Sequence, residues 1–360
     1  MPYSFYGGPL LYIFNTLQRR DILRDVQTLI LDGLSVTSDL IHGIITQDHY
    51  NVRILSIREV QNLSPRKLQQ ALMYAVRPSR PAGTPKLKSL YVFGPKDATP
   101  NPSASRGTTV SLDSTGAAAG GITYSQGAQI GAQWNQTSRD VLTEEMLRNG
   151  DKWYSKTGKV LWKSPSADWD STLVACQGII SFDAVLCNGP RHSVVPDEKG
   201  HSQAKTWYHK PSAHFSSKIA THSLGGCQTC GVAPERFSLF GSSPLDNFPL
   251  LAPPPLHAST TKAAKIPFMG SGSKLLLRCM DCLRNRFCES CQKWWCEDCY
   301  EVPNNNQPVH VFLELDLGTD AVRYNSERQE QNVKVHMGLC VEECLDAEMM
   351  SGAGSNGMWG

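Results

Sequence analysis

The C-terminal third of the chain holds three cysteine pairs with two residues between the members of each pair. The pairs lie within 21 residues and are Cys279/Cys282, Cys288/Cys291 and Cys296/Cys299. A two-residue spacing lets both sulfurs turn towards one ion, while the amides of the tight turn can donate to them. A single pair of this kind is also a redox motif, but three in succession favour Zn(II), which takes four thiolate or imidazole ligands.

Three pairs provide enough ligands for one tetrahedral site and half of another. The second site is completed by Cys340 and Cys344, whose i, i+4 spacing on a helix would place both sulfurs on one face. Both a sequential and an interleaved combination of the pairs fit this spacing. His310 and His336 are spare candidate ligands, but each lies in a strand pattern that is typical of an ordinary side chain.

Four further cysteines lie upstream of this cluster. Cys227 and Cys230 are flanked by glycines and resemble a zinc knuckle, which predicts a third site. Cys176 and Cys187 could complete that site, but they bracket an apolar run, where a cysteine usually packs as a small hydrophobic residue. We expect about two Zn(II) ions, or three with the knuckle filled. The predicted metal ligands are Cys227, Cys230, Cys279, Cys282, Cys288, Cys291, Cys296, Cys299, Cys340 and Cys344.

Whether these cysteine thiols are reduced depends on the cellular compartment of the protein. Twelve cysteines are an even number, which in a secreted protein would suggest disulfide bridges. However, the short apolar run over residues 9–14 has no basic region before it and no small-residue cleavage site after it. No apolar stretch approaches the roughly 20 residues of a membrane helix. The sequence therefore predicts a soluble cytoplasmic or nuclear protein with reduced thiols and no membrane partner.

An apolar pattern at offsets 0, 3, 5 and 8 recurs three times in the first hundred residues. The units are Val26/Leu29/Leu31/Leu34, Val52/Leu55/Ile57/Val60 and Leu87/Leu90/Val92/Pro95. The alternating pair inside each unit predicts a short strand with one face towards a core. A strand and a helix repeated at a 26-residue step are typical of leucine-rich repeats, although an ordinary α/β domain with similar parallel strands also fits.

Helices are predicted after the first two strands of this pattern. Ser64-Pro65 suits the N-cap and first position of the second helix. Because no polar cap precedes Val26, we expect the natural start of the repeats to lie further upstream. The predicted apolar faces are Leu40, Ile41, Ile44 and Ile45 in the first helix and Leu68, Ala71, Leu72 and Ala75 in the second.

These signals predict an α/β fold class with five segments along the chain. The segments are a leucine-rich-repeat-like region (1–95), a flexible linker (96–137), a mixed α/β segment (138–231), an irregular linker (232–275) and a cysteine-rich zinc domain (276–350). We also expect a helix over 138–149 and strands over 159–162, 173–187 and 309–317.

Several classes of function are disfavoured by the sequence. It contains no Gly-Lys-Ser/Thr phosphate loop, no G-x-S-x-G elbow and no H-E-x-x-H helix. A zinc ion with four thiolates has no open position, so we predict no catalytic residue, no small-molecule substrate and a structural ion. The formal net charge is +2, and charges of both signs are mixed between Arg278 and Glu301, which argues against nucleic acid as a partner.

Two stretches of the chain resemble a group of filamentous-fungal F-box-type proteins. One is the leucine-rich unit over residues 52–60, VRILSIREV, and the other is the cysteine-rich tail over residues 288–299, CESCQKWWCEDC. Membership would imply a substrate-recruiting subunit of a cullin-type ubiquitin ligase, whose repeats hold a target protein. The helical F-box itself is not recognisable before Val26. Protein partners are therefore expected to be ubiquitin-ligase components and a substrate protein.

The cysteine-rich tail also admits two other functions. One is a RING-like ubiquitin-ligase module that recruits a conjugating enzyme through Trp294 or Trp295, and the other is a zinc-dependent nucleic-acid binder. Cross-braced sites with an exposed aromatic side chain favour the RING-like module. Sequential sites with buried tryptophans favour the non-catalytic interaction subunit.

Overall fold

The computed structural model describes residues 8–96, 152–155, 158–163, 165–192, 217–251, 260–302 and 333–351. The chain divides into two compact units that alternate along the sequence. The sheet unit comprises Met1–Lys152, Ala175–Ala184 and Phe248–Gly270, and the cysteine unit comprises Trp153–Val174, Val185–Asn247 and Ser271–Gly360. The predicted linker (apart from residue 96), the helix over 138–149 and the strand over 309–317 lie outside the described residues.

A parallel sheet with the strand order β1-β2-β3-β4 forms the framework of the sheet unit. Its strands are Thr28–Ile30 (β1), Ile54–Ser56 (β2), Ser89–Tyr91 (β3) and Ser181–Phe182 (β4). The register aligns Leu29 with Leu55, Leu55 with Leu90, and Leu90 with Phe182. The three leucines occupy the same offset of the predicted repeat, and the mixed α/β class with parallel strands is confirmed.

In the described residues up to 96, the α-helices are α1 (Gly8–Arg19), α2 (Ser38–Thr46) and α3 (Pro65–Ala75). The side chain of Thr37 accepts the Leu40 N–H at the start of α2, and Ser64 accepts the Lys67 N–H at the start of α3, as expected for N-caps. The predicted apolar faces of α2 and α3 are both buried. Burial of these faces holds the helices to the sheet.

The N-terminal helix α1 was not predicted, and it contributes one buried aromatic side chain to the core. In α1, Phe14 is buried with its ring 6.3 Å from the ring of Tyr50. Ile30 in β1 and Leu34 just after it remain exposed. The edge strand β1 thus keeps an apolar border that the described residues do not cover.

The segment from Leu173 to Cys176 is helical, whereas we predicted a strand over 173–187. Helix α4 spans Ala167–Cys176 and is followed by β4. Trp169, Leu173 and Cys176 are buried at i, i+4 and i+7, which is a helical period. The prediction started at Leu173 and so missed the first turn of the helix, where the period is set. The later part of the predicted strand forms β4 at Ser181–Phe182 and an isolated bridge between Leu186 and Ile219. The strand predicted over 159–162 is wrong, because that segment forms a single bridge, between Lys159 and His222.

Two carboxylates bind the ends of the parallel strands together. Asp32 accepts hydrogen bonds from the Ser56 hydroxyl (2.6 Å), the Arg58 N–H (2.8 Å) and the Arg58 guanidinium (2.6 Å). Asp183, just after β4, accepts from the backbone N–H groups of residues 92, 93 and 94, at 2.7 Å for Gly94. Burial raises the pKa of the Asp183 carboxyl, against the opposing effect of these N–H groups and Arg58.

Apart from helix α4, most of which belongs to it, the described part of the cysteine unit contains short elements. Its antiparallel pairs are His222–Ser223 (β5) with Leu277–Arg278 (β8), Ser238–Leu239 (β6) with Lys274–Leu275 (β7), and Val335–His336 (β9) with Leu339–Cys340 (β10). Its helical turns are Met280–Leu283 (α5), a π-helical turn Val341–Leu345 and Asp346–Ser351 (α6). Strands of two residues cannot hold a fold by their ladders, so other links are required. In the described residues, the helices are too short or too polar to cross a membrane.

Replacing Asp183 with Asn should lower the free energy of unfolding by about 1–3 kcal/mol, because the amide nitrogen cannot accept the Gly94 N–H and leaves a buried donor unsatisfied. Urea denaturation of the metal-loaded chain measures this change. Asp48→Asn, at an exposed carboxylate, is the matched control and should cost less than about 0.5 kcal/mol. Equal stability of the two variants would contradict the bracing role of Asp183.

Candidate metal centre

Twelve side chains of the cysteine unit form three groups of four, and in each group the ligand atoms all lie within 4.8 Å of one another. Site 1 is Cys187, His192, Cys279 and Cys282; site 2 is Cys227, Cys230, Cys296 and Cys299; site 3 is Cys288, Cys291, Cys340 and Cys344. Each group therefore supplies the number of protein ligands that a closed tetrahedral ion takes.

The sulfur–sulfur distances match tetrahedral coordination. A zinc–sulfur bond of about 2.3 Å separates two tetrahedral sulfurs by about 3.8 Å. The observed separations are 3.9 Å for Cys187–Cys282, 3.7 Å for Cys230–Cys296 and 3.7 Å for Cys291–Cys340. All twelve cysteines are free of disulfide bonds. The donor set of eleven thiols and one imidazole is compatible with metal binding in all three groups.

The sites are interleaved along the chain. Counted from the N-terminus, the ligand pairs begin at Cys187, Cys227, Cys279, Cys288, Cys296 and Cys340. Site 1 joins the first and third pairs, site 2 the second and fifth, and site 3 the fourth and sixth. Sites 1 and 2 cross each other, as do sites 2 and 3. Of the two arrangements that the sequence left open, the structure therefore has the interleaved one.

All ten cysteines predicted as ligands are brought together, but the eight C-terminal cysteines do not fill two sites among themselves as expected. Only site 3 is drawn entirely from those eight. Cys227 and Cys230 pair with Cys296 and Cys299, rather than with Cys176 and Cys187. Cys187 instead joins Cys279 and Cys282, and the fourth member is His192, whose Nε2 lies 3.1 Å from the Cys279 sulfur. His336 belongs to none of the three groups, and His310 lies outside the described residues.

His192 was missed because the spacing of its pair differs from the others. Four residues, Asn-Gly-Pro-Arg, separate Cys187 from His192, so no C-x-x-C motif marks it. A count of donors could have indicated it. Ten cysteines leave one site half filled, and a turn-rich segment with one cysteine and one histidine supplies the two missing ligands.

One cysteine in each site is oriented by the same pattern of backbone hydrogen bonds. The Cys187 sulfur accepts the N–H of Gly189 (3.4 Å) and of Cys279 (3.2 Å). Cys227 accepts correspondingly from Thr229 (3.4 Å) and Cys296 (3.2 Å). In both sites the donors are the residue two positions on and the first cysteine of the partner pair. The turn thus preorganises the ligand before any ion is considered.

Site 3 repeats this pattern at Cys288, whose sulfur accepts from the N–H groups of Ser290, Cys291 and Cys340. Burial raises the pKa of the Cys288 thiol, but these N–H groups outweigh it and bring the pKa down to about 6. At Cys227 burial is likewise outweighed by N–H donors, which lower the pKa to about 7. Such amides favour the thiolate, the form that binds metal.

Two glycines allow the close approach of chain segments at the sites. A Cβ atom at Gly189 would lie 2.9 Å from the Cys282 sulfur and 3.2 Å from the Cys187 sulfur. A Cβ atom at Gly226 would collide with the carbonyl of Gly231. Any larger residue at either position would force the ligand pairs apart.

A buried ion cluster lies between sites 1 and 2. Arg278, which has no exposed surface, donates from Nη2 to Glu235 at 2.8 Å and approaches Glu297 at 3.5 Å. Its guanidinium also lies 5.5 Å from the centre of the Trp294 ring. Arg278 precedes a ligand of site 1, and Glu297 follows a ligand of site 2. Loss of one partner of a buried pair leaves an uncompensated charge, so the cluster ties the two sites together.

The aromatic residues around the sites form the core of the unit. Trp294 and Trp295 are both buried, together with Phe287 and Tyr300. The Trp294 indole N–H donates to the Gly225 carbonyl at 2.9 Å. Neither side chain projects from the surface, so the buried tryptophans are those that the sequence analysis associated with the non-catalytic interaction subunit. Both side chains pack in the space between the ligand pairs.

Cys176 lies outside the three groups and is fully buried. Burial raises the pKa of its thiol to about 12. It therefore behaves as a small apolar side chain, which is one of the two interpretations that the sequence offered.

Comparisons with family models, curated proteins and solved structures find no match to this chain. The assignment of function accordingly depends on the geometry of the three ligand groups.

Proposed function

We propose that the three ligand groups bind Zn(II) as structural ions, one in each group. The observation that carries the proposal is the presence of three complete four-ligand sets at tetrahedral spacing. Thiolates with one imidazole are typical of structural zinc, and four protein ligands leave no position for water or substrate. The ions would hold together segments whose own strands are too short to do so.

On this basis we propose that the chain is a non-catalytic protein-interaction subunit. Closed zinc sites build a rigid scaffold and supply no Lewis acid to a substrate. The sheet unit supports a leucine-rich-repeat interpretation, because Leu29, Leu55 and Leu90 lie in register on parallel strands and α2 and α3 follow the first two. Repeats of this kind present a surface for another protein.

The resemblance to fungal F-box-type proteins gives this proposal its specific form. The chain would recruit a substrate protein to a cullin-type ubiquitin ligase, in the cytoplasm or nucleus. The repeat-like sheet would hold the target, and the zinc-stabilised unit would provide a second rigid surface. This form depends on fold-level analogy, whereas the zinc sites depend on named ligands.

A RING-like ubiquitin-ligase module is the second candidate, and one observation favours it. Sites 1 and 2 cross each other along the chain, as in a cross-braced pair of zinc sites. The RING-like module was expected to recruit a conjugating enzyme through Trp294 or Trp295, but these two side chains are 3% and 4% exposed. We therefore prefer the non-catalytic subunit.

Metal analysis tests the zinc sites. The purified chain should contain three zinc ions by native mass spectrometry, and a chelator should unfold the cysteine unit because ligand binding supplies its folding free energy. Cys187→Ser or His192→Gln should leave two ions, or prevent folding of the cysteine unit. Cys176→Ser is the matched control, a buried cysteine outside the sites, and should retain three ions.

Replacing zinc with Co(II) provides a second measurement, because partial unfolding could change the zinc count by itself. Two all-thiolate sites and one with three thiolates and an imidazole should give distinct visible absorption bands. Two ions in the unmodified chain, unchanged by His192→Gln, would contradict the composition of site 1.

Reconstituted ubiquitination separates the two candidate functions. The zinc-loaded full chain, supplied with activating enzyme, conjugating enzymes, ubiquitin and ATP, should form no ubiquitin chains by itself. It should co-purify with a cullin adaptor protein if it recruits substrates. Chain formation that disappears on zinc chelation would favour the RING-like module, and absence of adaptor binding would refute the cullin-dependent form of the proposal.

A further inference from the structure

Trp162 differs from the other tryptophans that the structure describes. Its side chain is 73% exposed, whereas Trp153, Trp169, Trp294 and Trp295 are 3–6% exposed. Tryptophan is the largest apolar side chain, and it is among the residues most enriched at the energetic centres of protein interfaces. Its position at the surface of the cysteine unit therefore requires an explanation.

The backbone that carries Trp162 is fixed to the zinc-site framework. The N–H groups of Val160 and Leu161 both donate to the Thr221 carbonyl, at 2.9 and 3.1 Å. The side chains of Val160 and Leu161 are 4% and 3% exposed, so the residues preceding Trp162 are anchored in the core.

Hydrogen bonds connect this anchored segment to a residue next to a ligand of site 1. The Thr221 N–H donates to the Arg278 carbonyl at 2.9 Å, and Arg278 directly precedes Cys279 of site 1. Trp162 is thus one residue away from a segment held by the sheet of the cysteine unit. A side chain on such a support binds with less loss of backbone entropy than one on a flexible loop.

The charges beside Trp162 are positive. Lys159 and Lys163 are both exposed, and no carboxylate among the described residues lies within ion-pair distance of either. Within the described part of the chain, neither ammonium group is therefore held in an ion pair. The local chemistry is a large apolar ring flanked by two positive charges, which is complementary to a peptide that combines acidic and apolar side chains.

We propose that Trp162, with Lys159 and Lys163, is a docking site for an acidic segment of a partner protein. The inference depends on the proposed role as an interaction subunit and specifies the surface and the chemistry of the partner. The ring would enter an apolar site of the partner while the lysines pair with carboxylates beside it. A single aromatic residue with two lysines provides neither the series of stacked rings nor the basic stripe typical of single-stranded nucleic-acid binding.

The test is a selection of random peptides displayed on phage against the zinc-loaded full chain. The recovered peptides should be net acidic and carry at least one large apolar residue. A synthetic peptide of the recovered sequence is then measured by fluorescence anisotropy. Trp162→Ala should weaken its binding about thirtyfold, the scale of an interface hot spot, and Lys159→Glu should weaken it about tenfold. Affinity should decrease as salt increases.

Phe268→Ala is the matched control, because this aromatic residue is 72% exposed and lies in the sheet unit. It should bind the peptide like the unmodified chain. The Trp162→Ala variant should keep three zinc ions, so that lost binding is not lost folding.

Three results would overturn the inference: recovery of no binding peptide, recovery of basic or uncharged peptides, or binding that Trp162→Ala does not alter. Trp162-dependent binding of oligothymidylate in preference to acidic peptide would assign the site to nucleic acid instead. Peptides that bind independently of Trp162 would leave the interaction function intact while refuting this site. Failure of the interaction-subunit proposal itself would be detected separately, by the adaptor-binding and zinc measurements described above.

Discussion

The meeting of ligand pairs from distant parts of the chain is the constraint on which the cysteine unit depends. The partner pairs meet across 92 residues in site 1, 69 in site 2 and 49 in site 3. Closing loops of this length costs conformational entropy, and strand pairs of two residues contribute little stabilising free energy to offset it. Because the sites cross one another, no ligand pair can be placed independently of the next. Arg278 and the tryptophan core then fill the space between the ligand pairs.

The sheet unit is held together by a different physical principle. Its leucines align on parallel strands, its helices begin at side-chain caps, and the strand ends are joined by buried carboxylates. Asp183 follows β4 and lies 89 residues from the Gly94 N–H that it binds. A hydrogen-bonded carboxylate thus attaches a sequence-distant strand to a sheet whose first three strands are close in sequence. No metal ligand among the described residues belongs to this unit.

The features that the sequence predicted are those encoded locally. A C-x-x-C spacing, an N-cap at Ser64 and an apolar face in α2 each depend on residues a few positions apart, and all were recognised. Which cysteine pairs share a site depends on the path of the chain through the fold, and this cannot be derived from the spacing within each pair. His192 was missed because four residues separate it from Cys187, and this spacing is not one of the common zinc-ligand motifs. Helix α4 was mistaken for a strand because its helical pattern of buried residues begins before the apolar run.

The two tryptophans between the last cysteine pairs illustrate why ligand motifs do not assign function. Their sequence fits a docking site, but their burial shows that the space between crossed metal sites needs large side chains to fill it. Crossed ligand groups thus explain how the unit is stabilised, and they are compatible with more than one activity. Function must then be sought where apolar surface is retained without a structural need for it. Trp162 meets that condition, because Val160 and Leu161 already provide the packing that fixes the segment before it.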